Sequence, residues 1–287
     1  IFDKGGRKER EDLVRNNQSP KDFFQSIDFL REKGFDINHL SSSGEYKKNL
    51  FNLFGRIIED FFCRISNIGL RPLSVAKFKK VIMGSDYVVS LTDGFSISLA
   101  FYYTFIDTKS RIKLVGAFHK LSDYDSKLPK ILRKFYYKLF FKILKRLNFI
   151  IFYGNADRLN SIKNFNIKKE KTFLIRFGVD TEFWQPNKKI NFNSNYLFSI
   201  GQDPARDFNT LLKVSTNKKI HIHTNLLNIR NDSKFKITNG TYHKSKNSLS
   251  DLQIKKLYQD SFAVIVPLKD VFQPSGYSVT LQAMACG

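Results

Sequence analysis

The chain has 287 residues, 42% of them hydrophobic and 29 of them Phe, which is enough to bury one large core or two domain-sized ones, and the length favours two. Two cysteines far apart in sequence, Cys63 and Cys286, exclude a disulfide scaffold and fit a reducing compartment. The formal charge of +22 calls for an anionic partner or a compositional cause, and no run of 18 uncharged apolar residues exists to supply a transmembrane span.

Taken in order, the elements alternate between strand and helix. Ile1-Phe2 reads as the end of a first strand, with Gly5-Gly6-Arg7 turning directly after it. Lys21–Lys33 predicts a helix with Phe23, Phe24, Ile27 and Leu30 on one face and Gly34 as its stop, and Phe35–Leu40 predicts a second strand. Glu45–Ala76 is helical in pattern with little punctuation. Tyr87–Leu91 and Ile112–Phe118 predict strands, and Asp93-Gly94 opens the helix Phe95–Phe105 between them. A basic stretch, Lys127–Arg146, leads to the strand Phe149–Tyr153, and Gly154–Asp157 caps the helix that follows. Thr172–Arg176 is the last strand of this half. The second half opens with Tyr196–Ile200 and Gly201, continues through the helix Asp207–Val214 and the strand Ile220–Thr224, and closes with the strand Ala263–Leu268 and the helix Ser278–Ala285. Such alternation predicts parallel sheets covered on both faces.

The charge has two readings. Abundant Lys, Asn, Ile and Phe fit the bias of an AT-rich genome, and part of the excess has a definite place. In Lys127–Arg146, Lys130, Lys134, Lys138, Lys142 and Lys145 fall on one side at helical spacing, with Leu132, Phe135, Tyr136, Leu139, Ile143 and Leu147 on the other. An ordinary domain helix, apolar face on a sheet and lysines in water, gives this pattern. So does a helix lying on anionic lipid headgroups, where each lysine contributes ~1 kcal/mol. Nucleic acid has only the charge in its favour, because no zinc spacing, helix-turn-helix or aromatic-and-basic strand accompanies it, so none is expected as a partner.

Chemistry concentrates at strand-to-helix turns. After Ala263–Leu268 comes a loop with Pro274, Ser275 and Gly276, then a helix. A junction of this kind aims unpaired backbone N–H groups and the positive end of a helix dipole at one point, where a phosphate binds. Gly201-Gln202-Asp203-Pro204-Ala205-Arg206-Asp207 forms a second such turn. There Arg206 either grips phosphate oxygens or pairs with Asp203 or Asp207. His119 ends the strand Ile112–Phe118, as a structural hydrogen-bonder or a reacting group. His39, His221, His223 and His243 show no grouping with carboxylates or thiols that would hold a metal.

Three segments give these turns a common meaning. Gln282-Ala283-Met284-Ala285-Cys286-Gly287 resembles the end of the nucleotide-sugar-binding segment of retaining GT-B glycosyltransferases, the glycogen-synthase-like group of family 4 type. Gly178-Val179-Asp180, followed by Phe183, resembles their segment before the interdomain linker. Gly201 with Arg206 resembles their diphosphate-holding turn. The resemblance implies an α/β protein of two Rossmann-like domains facing each other across a cleft. Residues 1–185 would form the acceptor-side domain, 186–195 the linker, and 196–287 a donor domain truncated before its next strand. With Ile1 at the start, the chain is expected to be a fragment.

The resemblance also implies a site. Gly201, Arg206, Gln273, Ser275, Gly276, Tyr277, Ser278, Val279 and Gln282 would bind the donor, with Gly5 and Gly6 on the acceptor side. His119 would lie beneath the transferred sugar, and Arg206 would stabilise the leaving diphosphate. The chain departs from the family at two acids. Gln282 stands where a carboxylate holds the ribose, and Gln273 or Pro274, depending on a one-residue gap, stands where an acid approaches the sugar. The implied activity is retaining transfer of a sugar from a nucleotide-sugar donor to a glycan or lipid-linked acceptor, with no cofactor and no metal. Closure over the hinge near Trp184–Lys189 would exclude water. The implied location is the cytoplasm, peripheral on the inner face of the cell membrane through Lys127–Arg146. A GT-B epimerase, or a nucleotide-sugar-binding scaffold with little catalysis, fits the same residues.

Overall fold

The computed structural model describes residues 1–3, 10–24, 27–41, 57, 59–61, 63–64, 69–127, 130–187, 194–239 and 249–287. Gly5, Gly6, His243 and most of the helical expectation over 45–76 lie outside these. The chain divides into two compact units. Unit 1 comprises residues 1–8, 30–176 and 272–274, and unit 2 comprises residues 9–29, 177–271 and 275–287. The segment Phe177–Gln185, expected with the first domain, is therefore grouped with unit 2, as is the N-terminal segment Glu9–Phe29.

The strands of unit 1 are β1 (Phe2–Asp3), β2 (Leu40–Ser41), β3 (Tyr87–Ser90), β4 (Lys113–Phe118), β5 (Phe149–Phe152) and β6 (Thr172–Leu174). They form a parallel sheet in the order β2-β1-β3-β4-β5-β6. Its helices include α1, Asp93–Phe105; α2, Lys130–Leu144; and α3, Asn155–Phe165. Strand residues Val88, Leu114, Phe118, Ile150 and Phe152 meet Phe95, Leu99 and Tyr103 of α1 and Tyr136, Phe140 and Ile143 of α2 in one core. Gly116 is where α1 comes closest to the sheet. A Cβ there would lie 3.1 Å from Ser96 Cβ and 3.0 Å from Leu147 Cδ1, so only glycine fits without displacement. The left-handed Asn166 (φ 48°) ends α3, a conformation that asparagine tolerates better than other non-glycine residues.

Two expectations shift here. Phe35–Leu40 contributes a strand only from Leu40 onward, since Gly34, Asp36 and Asn38 are poor strand formers. In α2 the buried stripe is Tyr136, Phe140, Ile143, Leu144 and then Leu147, at the i, i+4, i+7, i+8, i+11 spacing of a helix. Phe135, expected on that face, is 69% exposed, because it sits one residue, about 100°, off the stripe.

The strands of unit 2 are β7 (Tyr196–Ile200), β8 (Lys219–His223), β9 (Arg230–Asn231), β10 (Phe235–Thr238) and β11 (Ala263–Val264). They form a second sheet in the order β11-β7-β8-β10-β9. All pairs are parallel except β9 with β10. Strand alternation sorts the side chains to two faces. Ile220, Ile222, Phe235 and Ile237 pack with Phe208 and Leu211 of α4, Phe208–Leu211. Phe198 and Ile200 pack with Ile254 and Tyr258 of α5, Asp251–Asp260, and Val279 of α6, Tyr277–Ala285. The strand expected over Ala263–Leu268 forms a ladder only at Ala263–Val264; beyond it Ile265 N still donates to Phe198 O and Leu268 bridges to Arg206, while Pro267 has no N–H to offer. Helix α5 adds an element to those expected, and its reciprocal cap, Ser250 with Gln253, is written in the sequence as Ser-x-x-Gln.

Candidate functional site

In unit 2 the chain leaves β7 for β8 and β10 on one side and returns to β11 on the other, so the carboxyl ends of β7 and β11 mark the switch point where open α/β sheets bind ligands. The turns that follow those two strands carry the sequence-predicted donor residues. Thr224 Oγ1 donates to Gly201 O at 2.6 Å and fixes the end of β7. From there the 201–207 turn is laced to the segment after β11. Asp207 N donates to Pro267 O (3.1 Å), Lys269 N to Ala205 O (2.9 Å), and Arg206 bridges to Leu268.

Asp203 organises both turns. Its Oδ1 accepts the Ala205 N–H at 2.9 Å and its Oδ2 accepts the Ser275 hydroxyl at 3.0 Å. The sequence offers it as a partner for Arg206; in the structure it ties the 201–207 turn to the turn opening α6. Arg206 is 6% exposed and runs between the two glycines. A Cβ on Gly201 would collide with its Nε, and one on Gly276 would lie 2.8 Å from its Nη1. The path of the guanidinium thus requires glycine at 201, and at 276 it does so together with Val266, whose Cγ1 would lie 2.6 Å from the added Cβ. Gly276 also takes φ 77° as N-cap of α6, and among the described residues no side chain caps that helix. The first-turn N–H groups of α6 and a buried guanidinium therefore occupy one small region. A helix start and a guanidinium are both groups that favour a bound anion.

The other predicted donor residues divide. Ser275, Gly276, Tyr277 and Ser278 lie at this turn, with the Tyr277 ring edge-on to Phe177 at 4.6 Å. Val279 is 6% exposed and packs in the core with Trp184 and Phe198, so its side chain is not offered to a ligand. Gln273 is grouped with unit 1 rather than with this cluster. Gln282, expected to hold a ribose, is 3% exposed with both amide atoms engaged: Nε2 donates to Asp22 Oδ2 at 2.9 Å and Oε1 accepts from Tyr258 Oη at 3.4 Å. The side chain is turned inward because a buried carboxylate waits there for a donor.

Unit 1 places His119 at the carboxyl end of β4. Asp93, at the start of α1, accepts the backbone N–H of His119 (2.9 Å to Oδ1) and of Lys120 (3.1 Å), and its Oδ2 lies 3.4 Å from His119 Nδ1. The Tyr153 ring stacks obliquely on the imidazole at 4.5 Å. A carboxylate on Nδ1 orients the ring and leaves Nε2 for another partner. Asp157 does the same structural work further along the chain, accepting Ser122 N at 2.7 Å and Leu121 N at 3.3 Å. Burial pushes its carboxyl above the usual range. From sequence Asp93 reads as a helix opener; its place at a strand end beside β4 is the signal that was available. Among the described residues no cluster of three His, Cys, Asp or Glu could hold a metal.

Fold and site together define an α/β protein of two Rossmann-like units, one of which carries an anion-ready switch point. A solved structure shares this fold. The lipopolysaccharide outer core galactosyltransferase WaaB, in its apo form, is similar over 99% of this chain and 77% of its own, with a TM-score of 0.51 and 10% identity. A glycosyltransferase from Rickettsia africae ESF-5 aligns with 84% of this chain at 14% identity and a TM-score of 0.42, and this chain spans 61% of that protein's length. No protein-family model and no curated protein sequence matches.

Proposed function

We propose that the chain belongs to a glycosyltransferase that moves a sugar from a nucleotide-sugar donor to a glycan or lipid-linked acceptor, with retention at the anomeric carbon. The observation that carries the reading is the convergence of Gly201, Arg206, Ser275, Gly276 and the start of α6 at the switch point of unit 2. As the glycosidic bond to the diphosphate breaks, negative charge grows on the leaving oxygens and positive charge on the sugar. A fixed guanidinium and helix N–H groups stabilise that leaving group without reorganising, so the scheme calls on no cofactor or metal. His119, oriented by Asp93, is proposed as a reacting group of unit 1. The diphosphate itself takes the acceptor's proton.

The basic helix supports a second element of this reading, contact with an anionic membrane surface. Lys134, Lys138, Lys142 and Lys145 are exposed on α2 and just beyond it, together with Phe135. No helix among the described residues is long and apolar enough to cross a membrane. A cytoplasmic protein held at the inner face of the membrane is the corresponding location.

The test is a donor screen, following nucleoside diphosphate release by the complete protein with each common nucleotide sugar and a lipid or glycan acceptor pool. Release with none of them refutes the enzyme. Binding of a nucleotide sugar without turnover would favour the scaffold, and isomerised donor among the products would favour the epimerase.

A further inference from the structure

We propose that Asp22 is a positioning residue for the donor helix α6, and that position 282 is built as its hydrogen-bond partner rather than as a ligand for the ribose. Asp22 lies in the single 3-10 turn Lys21–Phe24 of the N-terminal segment that belongs to unit 2. Three donors from two other parts of the unit converge on its carboxylate. Oδ1 accepts Asp180 N at 2.5 Å, and Oδ2 accepts Trp184 Nε1 at 2.8 Å and Gln282 Nε2 at 2.9 Å. Asp22 is 9% exposed, Gln282 3%, and Trp184 1%, so the bonds from Gln282 and Trp184 are shielded from bulk water.

The chemistry of the set leaves little choice. A carboxylate accepts only, so it takes all three donors at once. An amide at 282 can donate to that carboxylate and still accept the hydroxyl of Tyr258. A glutamate at 282 could not: it would bring a second carboxylate against Asp22, and the two would have to share a proton. The same segment is anchored a second time, where Arg10 pairs with Asp251 at the start of α5 and Ser19 Oγ donates to Asp251 Oδ2 at 2.5 Å. The Asp22 contact therefore fixes the rotation of α6 about its axis, little more than one turn beyond the N–H groups that face the phosphate site.

Three variants test this: Asp22→Asn, Gln282→Glu and the double exchange. The first readout is thermal stability between pH 5 and pH 8.5, which does not depend on the functional reading. Other titratable or charged groups around the pair are Asp180 on the 177–185 segment, Tyr258 on α5, Cys286 in the same core, and the exposed Lys21–Glu182 pair. None of these changes between the variants. In Gln282→Glu the shared proton raises the folded pKa of the pair above its unfolded value. Stability is then present at low pH and lost as pH rises through the folded value, so the melting temperature falls between pH 5 and pH 8.5 more steeply than in the parent. In the double variant the new amide at position 22 donates to the new carboxylate at position 282, and the extra slope disappears. If Gln282→Glu does not fold at neutral pH, folding of the double variant makes the same point. Failure of both, or a Gln282→Glu profile parallel to the parent, overturns the pairing.

The second readout, binding of UDP, GDP and ADP by calorimetry, rests on the nucleotide-sugar reading. Asp22→Asn is expected to weaken whichever nucleotide binds by about tenfold through the misaligned helix, and KM for the donor should rise more than kcat falls. Tighter nucleotide binding by Gln282→Glu with parental stability would return position 282 to the ribose and overturn the inference. Absence of nucleotide binding by the parent would count against the proposed function and leave the stability test standing.

Discussion

Replacing Arg206 with alanine removes a side chain against which both phosphate-site glycines are packed. The guanidinium is 6% exposed and held at a helix start, so its bonds to a diphosphate would form away from bulk water. Charge-assisted hydrogen bonds contribute ~1.5–3 kcal/mol each, and a bidentate grip therefore ~3–4 kcal/mol once some water replaces it. Through the factor of ten per ~1.36 kcal/mol, that range corresponds to a fall of about 10²–10³ in kcat/KM. Most of the loss should appear in kcat, because charge on the leaving diphosphate is greatest in the transition state. Stability should move little. Removing a cation from the positive end of α6 returns ~0.3–1 kcal/mol, against the lost packing between Gly201 and Gly276. Arg206→Lys keeps the charge without the fork and should recover about a factor of ten. The assay is nucleoside diphosphate release under steady-state conditions, with a thermal melt on the same samples. A variant that keeps kcat/KM within about threefold of an active parent refutes the assignment, and so does one whose loss is matched by unfolding.

Gly276→Ala should be worse for folding than Arg206→Ala, since its Cβ would lie 2.6 Å from Val266 Cγ1 at a left-handed φ; a loss of ~1–3 kcal/mol in urea unfolding is expected. Asp93→Asn leaves the His119 and Lys120 N–H groups a weaker acceptor and frees the imidazole to rotate, so turnover should fall about tenfold with the melt nearly unchanged. His221, pressed by burial from 6.5 to about 4, stays neutral in the folded state until the pH nears that value, so its stabilisation is full above pH 6.5 and is lost as pH falls toward 4. The shift corresponds to about 3 kcal/mol, and His221→Phe should flatten that part of the urea-unfolding profile against pH. Charge reversal of Lys134, Lys138 and Lys142 should abolish sedimentation with vesicles containing anionic lipid and leave turnover of a soluble acceptor intact; retained binding refutes a role for α2 at the membrane.

Strand-and-helix alternation was legible wherever apolar runs were bounded by Gly, Pro or Asp. Tyr87–Ser90 and Tyr196–Ile200 are examples. What failed to show was length. The ladder of β11 ends at Val264, and the 35–39 run yields no strand because its Asp and Asn disfavour the ladder. The site was legible as a set of turns and illegible as a set of contacts. Gly201, Arg206 and Gly276 were marked by residue type. That one guanidinium packs against both glycines follows only from the fold, because the two turns are far apart in the chain. Asp22 and Gln282 are separated by 260 positions, and no local pattern links them.

That separation bears on what the missing acids mean. Along the chain, amides at 273 and 282 are a deficit, and a deficit argues for lost activity. In the structure, position 282 has a cause of its own. Gln282 is an amide because Asp22 needs a donor, so its identity says nothing about turnover. At Gly201, Arg206 and the start of α6, Asp203 and Ser275, not Gln282, hold the two turns together. Catalysis is therefore expected to depend far more on Asp203 than on Gln282. An Asp203→Ala exchange should uncouple the 201–207 turn from the start of α6 and lower kcat/KM about a hundredfold, while Gln282→Ala should cost about tenfold. Nucleoside diphosphate release by the two variants, measured side by side, would reverse this order if position 282 were the donor contact that its place in the sequence implies.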